Sequence, residues 1–189
     1  GNALLDLGKY KEAITSYNKA IELKSDYSEA YHNLAISLSS VRATEFSESL
    51  SENFMLILNY ETITKPDNIV NSIMLLLKHH YTVREAISHN AKNTLENLTS
   101  EFCIRLSKIP LFLRIMEVCL IPNLEIEEVL TELRRTLLLE RQKLSIDNDY
   151  LLFQKALALQ CFTNEFIYTE TEEETFAIQT LETRLRLAF

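Results

Sequence analysis

"GKYKEAITSYNKAIELKSDYSEAYHNLA", residues 8–35, decides the architecture of this chain. Ala13, Ile14, Tyr17, Ala20, Ile21 and Lys24 recur at spacings of three and four, which places them on one face of a helix. Ala13 and Ala20 lie two turns apart on that face. Small side chains there let a neighbouring helix come close, and Tyr17 fills the space between them. Gly8 sits between two helical runs, where the chain needs a C-cap with positive φ. Asp26 or Ser28 is expected to cap a second helix carrying Ala30, Tyr31, Leu34, Ala35 and Leu38.

The composition agrees with a helical reading. Two glycines and three prolines in 189 residues are too few for the tight turns of an α/β or all-β fold, so the expected class is all-α. A net charge of −8 disfavours nucleic-acid binding, which needs clustered Lys and Arg to displace counterions. It disfavours docking on an anionic membrane for the same reason. No apolar run reaches the roughly 18 residues of a membrane span. Cys103, Cys119 and Cys161 are odd in number and widely spaced, which argues against a disulfide framework or a structural zinc site. A reducing, cytoplasmic setting is expected.

Helix, short turn and helix with Gly1, Leu4, Gly8, Tyr10, Ala13, Tyr17, Ala20 and the Leu23-Lys24-Ser25-Asp26 end closely resembles a tetratricopeptide repeat (TPR) over residues 1–40. Ser25 departs from that pattern by standing where the repeat usually has proline. A 34-residue period carries Gly1 to Ala35 and Leu4 to Leu38, as the repeat requires. It then fails: Gly8 projects onto Arg42, Ala13 onto Ser47, Tyr17 onto Ser51 and Ala20 onto Phe54. The array therefore degenerates near residue 40, after about one and a half visible units. Since so short a solenoid buries itself poorly, further repeats are expected upstream.

Beyond residue 40 the pattern predicts a compact bundle of about six helices over 41–189. Expected elements are a helix over 45–59, and one over 66–80 with Thr64 as N-cap and Pro66 in its first turn. A polar stretch follows, then a helix over 91–108 with Leu95, Leu98, Phe102, Cys103 and Leu106 on one face. "IPLFLRIMEVCLIPN" (109–123) is apolar almost all round and is expected to be the most buried element. Asn123 should cap the following helix, whose face is Ile126, Val129, Leu130, Leu133 and Leu137. The run 147–170 is long and apolar. Thr171 to Glu174 spells a capping box that opens the last helix. That helix reaches Phe189 with no stop signal.

The TPR resemblance implies that the first helix of each unit lines a groove for an extended peptide. Here that groove would present Asn2, Leu5, Asp6, His32, Asn33 and Ile36. Asn2 and Asn33 match two asparagines used by carboxylate-clamp TPRs, but the clamp's basic residues have no counterpart. The competing reading makes these positions solvated or repeat-stacking ones.

In the stretch 156–174, Gln160, Asn164 and Glu165 interrupt an apolar helix, and each should bond to neighbouring backbone or to a partner surface, since a buried polar group costs about 1–3 kcal/mol when unpaired. With 109–135, this stretch resembles the helical linking region of bacterial TPR-containing S-adenosylmethionine-dependent methyltransferases. Residues 160–166 are the most distinctive part of that likeness, which runs over about 111–174. In that family a methyltransferase domain follows. This chain has no strand leading to a glycine-rich turn, so it is expected to hold no cofactor and not to be an enzyme itself.

Two other chemistries have partial support in the residues. Cys161 stands one turn before Glu165, so a cysteine hydrolase is conceivable, but it would need a histidine brought in by the fold; a cysteine in an apolar helix reads more simply as core. His79 and His80 are adjacent and diverge by about 100° on a helix, which does not suit chelation. A helix-end pair complementing the dipole is the better reading, and no metal is expected. The acidic residues 170–174 read as a solvated helix start.

The leading expectation is thus a non-catalytic interaction or substrate-presenting segment that meets a protein or peptide partner, within a larger methyltransferase-like protein. The alternative is a free-standing TPR adaptor whose later helices only cap the solenoid.

Overall fold

The computed structural model describes residues 1–60, 65–94, 99–139, 148–164 and 170–188, with backbone alone for 184–188. Among the described residues there are eleven α-helices, one 3-10 turn and no strand. The all-α class follows.

α1 (Asn2–Asp6) ends as the glycine pattern requires. Gly8 takes φ 69°, its N–H donates to the Leu5 carbonyl at 2.9 Å, and the Lys9 N–H donates to Leu4 at 2.8 Å. These two bonds form a Schellman C-cap, which a side chain at the left-handed position would strain. α2 (Tyr10–Leu23) then buries Ala13, Ile14, Tyr17 and Ile21. Ala20 is half-buried and Lys24 is exposed at the helix end. α3 (Ser28–Ser40) buries Ala30, Tyr31, Leu34, Ala35 and Leu38 against α2. The turn between them departs from expectation. Neither Asp26 nor Ser28 caps α3: the N-cap is Tyr27, with no side-chain bond, and its carbonyl accepts from Ala30 at 2.9 Å. The Tyr31 hydroxyl donates to Ser25 at 3.2 Å and closes the turn from the tertiary side.

The second half differs from the periodicity in five places. The helix expected over 45–59 begins later, as α4 (Glu48–Asn59), because Ser47 caps it. The helix expected over 66–80 divides into a 3-10 turn (Pro66–Asn68) and α5 (Val70–Leu77). Thr64, its expected cap, lies outside the described residues. The polar stretch after it is helical: α6 (Tyr81–Ala91) buries Thr82, Val83 and Ala86. Its apolar stripe is short, only Val83, Ala86 and Ile87 among polar residues, and so does not stand out as periodicity. The helix expected over 91–108 is broken at Asn93, which takes φ 54°, and resumes as α7 (Thr99–Ser107) with Phe102, Cys103 and Leu106 buried. Leu95 and Leu98 lie outside the described residues.

The fifth difference concerns α8 (Pro110–Val118), which was expected to be the most buried element. α5 is more completely enclosed, with Val70, Ser72, Ile73, Met74, Leu76 and Leu77 all buried. α8 keeps one side at the surface, where Arg114 pairs with Glu117 at 3.5 Å and donates to the Leu58 carbonyl at 3.1 Å. α9 (Leu124–Leu139) starts under the expected cap, the Ile126 N–H donating to Asn123 Oδ1 at 3.1 Å. α10 (Asn148–Thr163) packs Tyr150, Phe153, Ala156 and Leu157 onto α7 and α8. α11 (Glu172–Ala188) follows the capping box and lies along α9. From residue 48 onward the described residues therefore hold eight helices rather than six.

One apolar cluster runs from Ala13 through Leu38, Phe54, Leu77, Phe112 and Leu133 to Leu157. The front hairpin and the bundle share that core. The α2–α3 hairpin is thus covered by the chain that follows it, and its apolar face is not left open.

His80 illustrates how the junctions are built. It was expected to complement the dipole at the end of the preceding helix; instead it caps the next one, its Nδ1 accepting from the Thr82 N–H at 3.2 Å. That bond needs an unprotonated Nδ1. Burial lowers its pKa from the ordinary 6.5, Glu48 opposes the shift and Arg105 adds to it. Phe46 and Tyr81 are the ring neighbours. A depressed histidine stabilises the fold fully above its unfolded pKa of about 6.5, and this contribution is lost as pH falls below that value. His80→Asn keeps a cap acceptor that does not titrate. Urea midpoints measured at pH 7.5 and 5.5 should fall less in the variant than in the wild type; equal falls would remove His80 as the cause.

Candidate functional site

The inner face formed by α1 and α3 brings together part of the expected groove. Asn2 Oδ1 accepts from the Tyr17 hydroxyl at 2.8 Å and from Asn33 Nδ2 at 3.2 Å. Burial, then Asp6 and Glu29, raise the Tyr17 pKa and keep that phenol a proton donor. Tyr17 also explains Gly1, since a Cβ there would come within 2.8 Å of the ring's Cζ. A shallow cleft of about 200 Å³ lies beside these residues, bordered by Tyr27 and Glu29.

The bond between Asn2 and Asn33 ties α1 to α3. It also leaves the Asn2 Nδ2 hydrogens and Asn33 Oδ1 uncommitted among the described residues. One donor and one acceptor side by side match the two groups of a peptide amide. His32 and Asp6 are exposed, Ile36 is 40% exposed, and Leu5 is half-buried against the core. Leu5 therefore serves packing more than recognition.

The polar residues of α10 separate. Gln160 is buried, and with its amide nitrogen turned toward α8 it donates to the carbonyls of Met116 at 2.8 Å and Cys119 at 3.0 Å. Helix ends leave such carbonyls without intrahelical donors, so Gln160 finishes α8. Asn164 is half-exposed, its N–H donating to the Gln160 carbonyl at 2.9 Å. Glu165 lies outside the described residues.

All three cysteines are buried thiols. Burial pushes Cys103 up to about 12. Burial, followed by the bond to Asp67 at 3.0 Å, does the same for Cys119, also to about 12. Cys161 lies beside an apolar groove of about 630 Å³ bordered by Arg134, Lys155, Leu159, Phe162 and Ile178; the described residues lining it include no histidine. Among the described residues no three His, Cys, Asp or Glu side chains gather as a metal would need. No described helix is long and apolar enough to cross a membrane.

Two features were not foreseen from the sequence. Glu174 is fully buried and accepts from Arg134 at 2.6 Å and Arg135 at 3.4 Å, in addition to its capping role toward the Thr171 N–H at 2.9 Å. A cavity also opens beside the 41–47 loop, between α2 and α4. The failure of the 34-residue period at Arg42 and Ser47 was the only hint of it.

Residues 1–39 match the model of the TPR repeat family. Together with the all-helical architecture, this supports a TPR protein, and TPR repeats generally mediate protein–protein interaction. No curated protein and no solved structure matches the chain.

Proposed function

We propose that this chain is a non-catalytic partner-binding segment, in which residues 1–40 receive an extended peptide and 41–189 hold that surface rigid. The observation that carries this reading is the Asn2–Asn33 carboxamide pair, with a donor and an acceptor left over next to exposed His32 and Ile36. Backbone amides of an extended peptide would bond there, and an apolar side chain would cover Ile36.

The test is to select peptides against the wild-type protein and measure them by fluorescence anisotropy on Asn2→Ala/Asn33→Ala. Binding should weaken about tenfold, the loss of two hydrogen bonds at about 0.5–1.5 kcal/mol each. Selected peptides that bind both proteins equally would remove this surface from consideration.

The likeness of 111–174 to the linking region of bacterial methyltransferases supports a finer reading. In it the segment presents a substrate or partner, in a bacterial cytoplasm, to an S-adenosylmethionine-dependent domain in the same polypeptide. A reading frame continuing past Phe189 into a strand and glycine-rich turn would fit. A frame that stops would favour the free-standing adaptor. A cysteine hydrolase is the least supported reading, because Cys161 sits in an apolar helix with no histidine among the described residues of its groove.

A further inference from the structure

The cavity beside the 41–47 loop has a volume of about 320 Å³ and is built from α2, the loop and α4, not from the inner helices α1 and α3. Its basic residues are Lys11 and Arg42. Both are exposed and neither makes an ion pair or side-chain hydrogen bond among the described residues, as is also true of Lys9, Lys19 and Lys65. The Thr44 and Ser49 hydroxyls on the same wall are equally uncommitted. Ile14 and Leu50 supply apolar surface beneath them. Four donors over an apolar floor suit a ligand that ends in an oxyanion and has a short aliphatic stem.

Glu45 is the one carboxylate in the lining and opposes such a ligand.

From this we infer that the cavity is a second recognition site, one that takes an aspartate or glutamate side chain of a peptide partner. It rests on the partner-binding reading above but uses different helices. The half-apolar lining favours a carboxylate on a stem over free phosphate.

The probes are N-acetyl-glutamate amide, its neutral isostere N-acetyl-glutamine amide, and inorganic phosphate, followed by amide chemical-shift changes at low salt. The glutamate probe should give saturable shifts confined to Lys11–Thr15 and Arg42–Asn53. Lys11→Gln/Arg42→Gln should weaken it at least tenfold, and Glu45→Gln should tighten it about threefold. Melting of each variant should match the wild type, because the replaced side chains hold no partner. Asn2→Ala/Asn33→Ala should bind the probe normally, so loss of peptide capture there and loss of probe binding here are separate failures. Absent shifts, equal response to the glutamine probe, tighter binding of phosphate, or insensitivity to the double variant would each overturn the assignment.

Discussion

Replacing Glu174 by alanine is expected to loosen α11 from the bundle at a cost of about 1.5–3 kcal/mol, the usual worth of hydrogen bonds to a charged group, since Arg134 and Arg135 stay partly exposed and are not left as buried charges. The reason lies in how little else holds that helix. Among its described side chains only Glu174 is fully buried, while Ala177, Ile178 and Leu181 are half-exposed. Its carboxylate takes the Thr171 N–H as well as Arg134 and Arg135, so the substitution also removes one of the two capping-box bonds, while the backbone N–H of residue 174 can still donate to Thr171 Oγ1. Hydrogen exchange is the measurement: amides of 172–183 should lose protection while those of α7 and α8 keep theirs. Protection unchanged along α11 would show that apolar contacts carry the docking. Glu174→Gln keeps the acceptor for Thr171 and should lose less. pH acts in the same direction. Burial pushes this carboxyl up, but the Thr171 amide, Arg134 and Arg135 outweigh it and hold the pKa below the ordinary range. The stabilisation is therefore present above the unfolded value of about 4.3 and is lost as pH falls through the lowered folded pKa.

Phe153→Ala should cost about 3–5 kcal/mol, as fully buried phenylalanines do when truncated. Phe153 is wholly enclosed on α10, the helix that packs across both α7 and α8. The cavity left behind has little chance to collapse, because Tyr150 and Ala156 on either side are equally inaccessible. For a chain of this length, melting should fall by on the order of 10 °C. The same experiment reads the continuity of the core. A single lowered transition fits one apolar cluster joining hairpin and bundle. Two transitions, only the second displaced, would mean that the front repeat melts by itself.

That Asn2 and Asn33 share a face was legible, because helical spacing encodes which face a residue occupies. Asn2 and Asn33 lie 31 residues apart in sequence and meet at 3.2 Å. Their mutual bond was not legible, since register says which face a residue occupies and not what it touches. Gln160 shows the same limit. Its burial in an apolar helix pointed to a partner, but only the packing of α10 on the end of α8 identified the Met116 and Cys119 carbonyls. The free Lys11 and Arg42 belong to no motif at all and come together through an irregular loop.

By itself the amino-acid order determined the helical class, the α2–α3 hairpin, the Gly8 turn and the caps at Asn123 and Thr171. Each depends on residues within about one or two turns of one another, where spacing and backbone preference act directly. Tertiary structure decided where weakly patterned segments became helices, as in α6, and where a strong pattern broke, as at Asn93. It also decided that Glu174 would meet Arg134 across 40 positions of chain. Such outcomes turn on which surfaces lose water together, and that depends on the packed whole.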